Sequence, residues 1–97
     1  MIVEAALLTV RPGQDRAFAA ALAEARPLIA TSQGFRSIAV RPCLEQEGRY
    51  LLLVDWDRLE DHTEGFRKSA RYEQWRALLH PFYEPFPTVE HFGPSIV

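Results

Sequence analysis

His62 is the residue of this chain best suited to acid–base work, because an imidazole with an ordinary pKa of about 6.5 exists in both proton states near neutral pH. It falls on a helical stripe with Leu59 and Phe66, so it is expected to face a sheet rather than water. Two further groups could hydrogen-bond a developing oxyanion: the hydroxyl of Tyr72 and the indole N–H of Trp56. Phe66, Trp75, Leu79 and Phe92, with Phe82, could wall a site for a flat apolar molecule, since aromatic rings offer large area in rigid shapes. Each feature has a structural alternative. Aromatics at helical spacing also build cores, and a histidine can be a packing residue tied to a carbonyl or a Glu.

Other chemistries find less support. His62, His80 and His91 share no metal-ligand spacing, and His62-x-Glu64 on a helix does not put both side chains on one face. His80, at a helix end, and His91, on a short strand, read as structural. No G-x-G-x-x-G or Walker sequence is present, so no nucleotide cofactor is expected. Cys43 stands alone, without an adjacent His or Lys, so neither an internal disulfide nor a nucleophile is expected. Arg67, Lys68, Arg71 and Arg76, with Glu64 and Glu73, read as a solvated helix face, although Arg71 or Arg76 could reach an acidic substrate.

These residues must be positioned by a small fold. The chain has 97 residues, 47% apolar and 25% charged, with a net charge of −2, which fits one domain over residues 1–97 with a modest core. The longest basic run is Arg67-Lys68, so a nucleic-acid partner is not implied. The apolar run Tyr50 to Val54 is far shorter than the ~20 residues of a spanning helix, and the start Met-Ile-Val-Glu lacks the basic and apolar regions of a signal peptide. A cytoplasmic protein is the expectation.

Residues 2–10 read as a strand ended by Arg11-Pro12-Gly13. Phe18, Leu22, Ala25 and Ile29 fall on one helical face, with Asp15 near the helix start, Pro27 expected to kink or shorten the helix and Gly34 suited to a left-handed turn after it. Residues 35–43 and 49–56 read as a hairpin of two strands around the turn Leu44 to Gly48. Asp57-Arg58-Leu59-Glu60 matches a capping box, so a helix is expected directly after Trp56. Gly65 should interrupt it and Ser69 should cap a second segment with the stripe Tyr72, Trp75 and Leu79, ended by Pro81. Residues 88–92 read as a last short strand.

The order βαββαβ predicts an α+β, ferredoxin-like fold: a four-stranded antiparallel sheet with strands one and three central and two helical regions on one face. Strand one carries Ile2, Ala6, Leu8 and Val10 on one face and Val3, Ala5 and Leu7 on the other. Strand three is likewise apolar on both sides, with Leu51 and Leu53 opposite Tyr50, Leu52, Val54 and Trp56. Two helical regions cover one face only. The other predicts a homodimer packed sheet to sheet.

The run Trp56-Asp57-Arg58-Leu59-Glu60-Asp61-His62, continuing through Phe66, Ser69, Tyr72, Trp75 and Leu78-Leu79 to Pro85-x-Pro87-x-Val89-x-His91-Phe92, resembles the antibiotic biosynthesis monooxygenase family. The resemblance covers essentially the whole chain, and its second half is the specific part. It implies a dimeric α+β barrel with a pocket in each subunit between sheet and helices. Some members of that family oxidise phenolic polyketides or quinols with oxygen and no cofactor, others degrade haem, and others are isomerases. Positions where haem-degrading relatives carry an Asn, a Trp and a ligating His are here Ala6, Gly65 and Trp75, which argues against haem. The resemblance thus implies oxidation of a small aromatic, phenolic or quinol-type substrate by O2 with no cofactor and no metal. His62, Tyr72 and Trp56 would then be catalytic, and Phe66, Trp75, Leu79 and Phe92 would bind the substrate. A non-oxidative isomerase or a small-molecule binding or stress protein is the alternative.

Overall fold

Four runs of alternating apolar residues pair into one antiparallel sheet in the order β2-β3-β1-β4 in the computed structural model, which describes residues 1–97. The elements follow the chain as β1 (Ile2–Thr9), α1 (Asp15–Ala30), β2 (Phe35–Pro42), β3 (Arg49–Trp56), a π-helical turn (Asp61–Phe66), α2 (Ala70–Leu79), a 3-10 turn (His80–Phe82) and β4 (Val89–Phe92). This is the expected ferredoxin-like α+β arrangement, with β1 and β3 in the centre. Their register sets Ile2 against Trp56 and Thr9 against Arg49. The short β4 pairs with β1 only from Val3 to Ala6.

Side chains alternate across a strand, so this register sorts the sheet into two faces. Glu4, Ala6 and Leu8 of β1 and Leu52, Val54 and Trp56 of β3 are buried beneath the helices. Phe18, Ala25 and Ile29 of α1 and Trp75 and Leu79 of α2 close over them. On the opposite face Val3, Ala5, Leu51 and Leu53 are half-buried, and Leu7 and Phe92 are exposed.

Local structure departs from expectation at four places. Pro27 does not end α1 where it stands; the helix runs on to Ala30. Pro27 and Ala23, whose carbonyl loses its usual donor, are both exposed, so water can replace the missing bond. The Pro27 carbonyl then accepts from the backbone N–H (3.3 Å) and hydroxyl (3.0 Å) of Thr31. The capping box does not form, because the Asp57 carboxylate pairs with Arg36. Asp61 takes over in part, its Oδ2 accepting from the backbone N–H of Arg58 at 3.2 Å. Leu59 is exposed rather than on the inward stripe. The fourth departure is the π-helical turn itself, in which the Arg67 N–H donates to the His62 carbonyl, five residues back, at 2.9 Å. A wider turn changes which side chains point inward, and His62 and Phe66 are buried by it while Leu59 is not. Ser69 caps α2 as expected, its hydroxyl accepting from the Tyr72 N–H at 3.3 Å.

Gly34 joins this turn to the sheet. It sits at φ +80°, and its carbonyl accepts from the Asp57 N–H at 2.8 Å. A Cβ at Gly34 would collide with the Asp61 carboxyl group. Gly34→Ala is therefore expected to lower stability by about 3 kcal/mol, from the left-handed backbone and the displaced Asp61 together, measured by denaturant unfolding. A loss within 0.5 kcal/mol of zero would show that the turn relaxes freely around Asp61.

Candidate functional site

A cavity of about 330 Å³ lies between the inner face of the sheet and the helical layer. Its floor is Glu4, Ala6, Leu8, Leu52 and Val89. One wall is His62, Phe66 and Arg67 from the π-helical turn, with Tyr72 and Trp75 of α2; the other is His80, Tyr83, Phe86 and Pro87 from the segment that follows. The volume is at the small end of ligand pockets, which suits a compact aromatic molecule. Phe66 meets Tyr72 and Trp75 edge to face, at centroid distances of 5.5 and 5.7 Å, so the aromatic wall is internally braced.

The polar end of the cavity is built around Glu4, a carboxyl group on the inner, apolar face of β1. Trp56 lies diagonally across from it in the β1–β3 register and donates its indole N–H to Oε1 at 3.0 Å. His62 Nε2 stands 3.4 Å from the same oxygen. The His62 ring lies nearly parallel to the Trp56 indole, with centroids 5.4 Å apart. Its other nitrogen, Nδ1, is 2.8 Å from Nε2 of His91. His91 is the cross-strand partner of Glu4 on β4, so the sheet register alone brings these two side chains together.

Burial governs the charge states here. It raises the Glu4 carboxyl above its ordinary 4.5, against the opposing effects of the Trp56 hydrogen bond and the Arg67 charge. It lowers His62 to about 3, with the Arg67 charge and His91 adding to the effect. His91 is lowered by burial and Arg67, and His80 by burial and Arg76. The Tyr83 hydroxyl is pushed up by burial, then by Glu4 and Tyr72. The site at neutral pH therefore holds neutral imidazoles beside a carboxyl group that takes up a proton more readily than an exposed one would. The exposed guanidinium of Arg67 borders the cavity and makes no ion pair.

The structure brings together part of the set expected from sequence. His62, Tyr72, Phe66 and Trp75 all border the cavity. Trp56 does not: it is fully buried beneath His62, and its N–H is taken by Glu4, so it orients the site from behind. Leu79 is fully buried in the core, because α2 turns that position inward past the end of the cavity. Phe92 lies on the opposite face of the sheet, among Ala5, Leu7 and Leu51, since it sits one residue out of phase with His91. His80 and His91, read from sequence as structural, are both placed at the site: His80 borders the cavity, and His91 is bonded to His62. Glu4, Arg67, Tyr83 and Phe86 were not singled out as site residues. Glu4 did leave a signal, as the one charged residue on the face of β1 that otherwise carries Ile2, Ala6, Leu8 and Val10.

Comparison with known proteins adds a relationship to this geometry. The family model described as antibiotic biosynthesis monooxygenase matches residues 1–78. The uncharacterized protein YczJ of Bacillus subtilis (strain 168) is 50% identical over 92 residues, covering 95% of this chain and 97% of that protein. A provisionally named antibiotic biosynthesis monooxygenase of Bordetella bronchiseptica superposes with a TM-score of 0.92 at 35% identity, covering 98% of this chain and 97% of that one. SnoaB of Streptomyces nogalater, a cofactor-independent oxygenase, superposes with a TM-score of 0.79 at 15% identity over 99% of this chain and 94% of its own. At that identity the likeness is one of fold.

The lowered histidines make acid destabilising. Unfolded, His62 takes up a proton as pH falls through 6.5; folded, it does so only near 3, so stability is present above 6.5 and is lost as pH falls between these values. Its share of the loss between pH 7 and pH 5 is about 2 kcal/mol. Glu4 acts with the opposite sign, because its raised value lets the folded state hold an extra proton just above pH 4.5. His62→Gln should accordingly flatten the fall in unfolding free energy from pH 7 to pH 5, followed in urea. An unchanged slope in that variant would show that His62 ionises freely in the folded protein.

Proposed function

Because this chain belongs to the antibiotic biosynthesis monooxygenase family, we propose that it is a cofactor-independent oxygenase acting on a small aromatic substrate of phenolic or quinol type. The observation that carries this reading is the cavity, which has aromatic walls and Tyr72, His62, Glu4 and the unpaired Arg67 among its lining. Oxygenation without a cofactor requires the substrate to supply the electrons. An ionised phenol or enol does so readily, and the protein has to bind it, favour the ionised form and keep water from the intermediate.

The residues support each task. Phe66 and Trp75 flank a flat ring. Arg67 attracts an anion, and Tyr72 can donate a hydrogen bond to its oxygen. His62, neutral and held by Trp56, passes protons with Glu4 rather than storing one as imidazolium. In the net reaction an activated ring CH2 becomes a carbonyl: one atom of O2 enters the carbonyl and the other leaves as water with the two hydrogens.

We also propose that two copies pair through the outer sheet face. Val3, Ala5, Leu7, Leu51, Leu53 and Phe92 make that face apolar, and no element of the chain covers it. Pairing would finish the walls of a barrel and hide a patch that soluble monomers rarely expose.

Oxygen uptake on anthrones and hydroquinones tests the activity. The expected result is uptake above the blank by metal-free protein, reduced about 10²-fold or more by His62→Ala and about 10-fold or more by Tyr72→Phe. Turnover that is identical with and without oxygen would select a proton-transfer isomerase instead. Binding of aromatic ligands with every rate unchanged in both variants would select a binding protein. Light scattering tests the pairing: the expected mass is about twice the 11.1 kDa of the chain, falling to one chain in Leu7→Glu. A wild-type monomer would refute it.

A further inference from the structure

The cavity lies beneath the helical layer, and its carboxyl group is followed toward the adjacent edge strand, β4, by a row of proton-carrying groups. Glu4 Oε1, His62 Nε2, His62 Nδ1 and His91 Nε2 follow one another, with gaps of 3.4 Å from oxygen to nitrogen and 2.8 Å between the two imidazoles. The outer nitrogen, His91 Nδ1, has no partner in the protein. No polar side-chain atom is both buried and unpartnered, so this nitrogen reaches solvent. Glu4 borders the cavity and His91 does not.

We propose that Glu4, His62 and His91 form a proton wire, which brings protons from solvent at His91 to Glu4, the carboxyl group that protonates reduced oxygen in the cavity.

The tautomers allow it with both imidazoles neutral throughout. In the unloaded state Glu4 is a carboxylate, His62 carries its proton on Nε2 and donates toward Glu4, and His91 carries its proton on Nε2 and donates to His62 Nδ1. One proton from water binds His91 Nδ1; the Nε2 proton of His91 moves to His62 Nδ1, and the Nε2 proton of His62 moves to Glu4. The loaded state then has a carboxylic acid, with both imidazole protons on Nδ1. One proton has entered at the surface and one has arrived at the cavity, and no ring keeps a charge. The 2.8 Å joint is already a hydrogen bond. The 3.4 Å joint needs a small closing movement, while the Trp56 N–H holds the carboxyl group and the stacked indole holds the ring. The other charged or titratable groups that bear on the row are Arg67, from the π-helical turn, and Tyr83, from the segment after α2. Arg67 disfavours imidazolium in either ring, which suits a wire that works by tautomer exchange.

The use of the proton rests on the oxygenase reading above. A substrate bound as its anion needs one proton from elsewhere: the anion, O2 and one proton give the carbonyl product and water. The substrate anion is oxidised, and O2 is reduced to the carbonyl oxygen and the oxygen of water. Once the substrate fills the cavity and excludes water, the wire is the route by which that proton arrives.

Nitrogen-15 NMR of the ligand-free protein, labelled at histidine, reads the wire without reference to any reaction. As pH is lowered from 8 until Glu4 takes up its proton, both rings of the pair are expected to stay neutral and to exchange Nε2–H for Nδ1–H together. Glu4→Gln should abolish the joint switch. His91→Gln, at a more accessible site, should leave His62 in the Nε2–H tautomer at every pH. His91 titrating to imidazolium near 6.5 with His62 unmoved, or a joint switch that persists in Glu4→Gln, would overturn the wire. In turnover, His91→Gln should lower kcat about 10-fold with KM little changed, and free imidazole in the buffer should restore it. An unchanged kcat would overturn the delivery role. A wild-type protein with no oxygen uptake but with the joint tautomer switch would refute the oxygenase reading and keep the wire.

Discussion

A carboxyl group placed on the buried face of a central strand is costly unless neighbours satisfy it, and the site follows from how Glu4 is satisfied. Its diagonal neighbour in the register, Trp56, can donate one hydrogen bond and no more. A second partner has to come from the layer above, and the π-helical turn brings His62 down onto the same oxygen. That imidazole is itself buried and has a second nitrogen to satisfy, which His91 does from the edge strand. One residue on β1 thus links the end of β3, the opening of the second helical region and the register of β4.

The rest of the inner face shows what happens where no such group intrudes. At the other end of the sheet Phe18 of α1 packs against Tyr50, Phe82 and Tyr83 with ring centroids 5.3 to 6.0 Å apart. Toward Glu4 the floor narrows to small side chains, with Ala6 beside it, and the layer above stands off on Tyr72 and Trp75. A cavity survives where a polar group and an alanine occupy positions that larger apolar residues fill elsewhere. Packing and site are therefore two outcomes of one alternation along β1.

The alternation itself was legible from sequence. Short apolar runs in residues 2–10 and 49–56, and a helical stripe from Phe18 to Ile29, depend on local sequence alone, so the element order and the central strands could be read directly. His62 and Tyr72 were legible as candidates for the same reason. What escaped reading depends on register or competition. His91 meets His62 because β4 pairs with Val3–Ala6, a contact between residues nearly a chain length apart. Phe92 lies on the wrong face for the cavity because of that same register. Asp57 was an adequate cap by spacing, but Arg36 on the neighbouring strand offers it a charge, which no local pattern reveals. The π-helical turn shifts Leu59 outward by an inserted residue that neither propensity nor spacing marks.

A buried polar row of this kind is a poor way to gain stability. Replacing such groups with apolar residues of similar size is often neutral or stabilising, because desolvation offsets most of what the contacts return. The row in this fold nevertheless runs from cavity to surface: His62 and His91 are hydrogen-bonded, Glu4 stands 3.4 Å from His62, the indole braces both the carboxyl and the ring, and the outer nitrogen reaches water. Stability alone would ask only that the polar atoms be satisfied, and a single backbone carbonyl could satisfy a histidine. A row that starts at the cavity and ends at the surface satisfies an additional condition, continuity, which packing does not require and proton movement does. The most economical account of Glu4, His62 and His91 is therefore one in which their order along the row, and not only their burial, has a use.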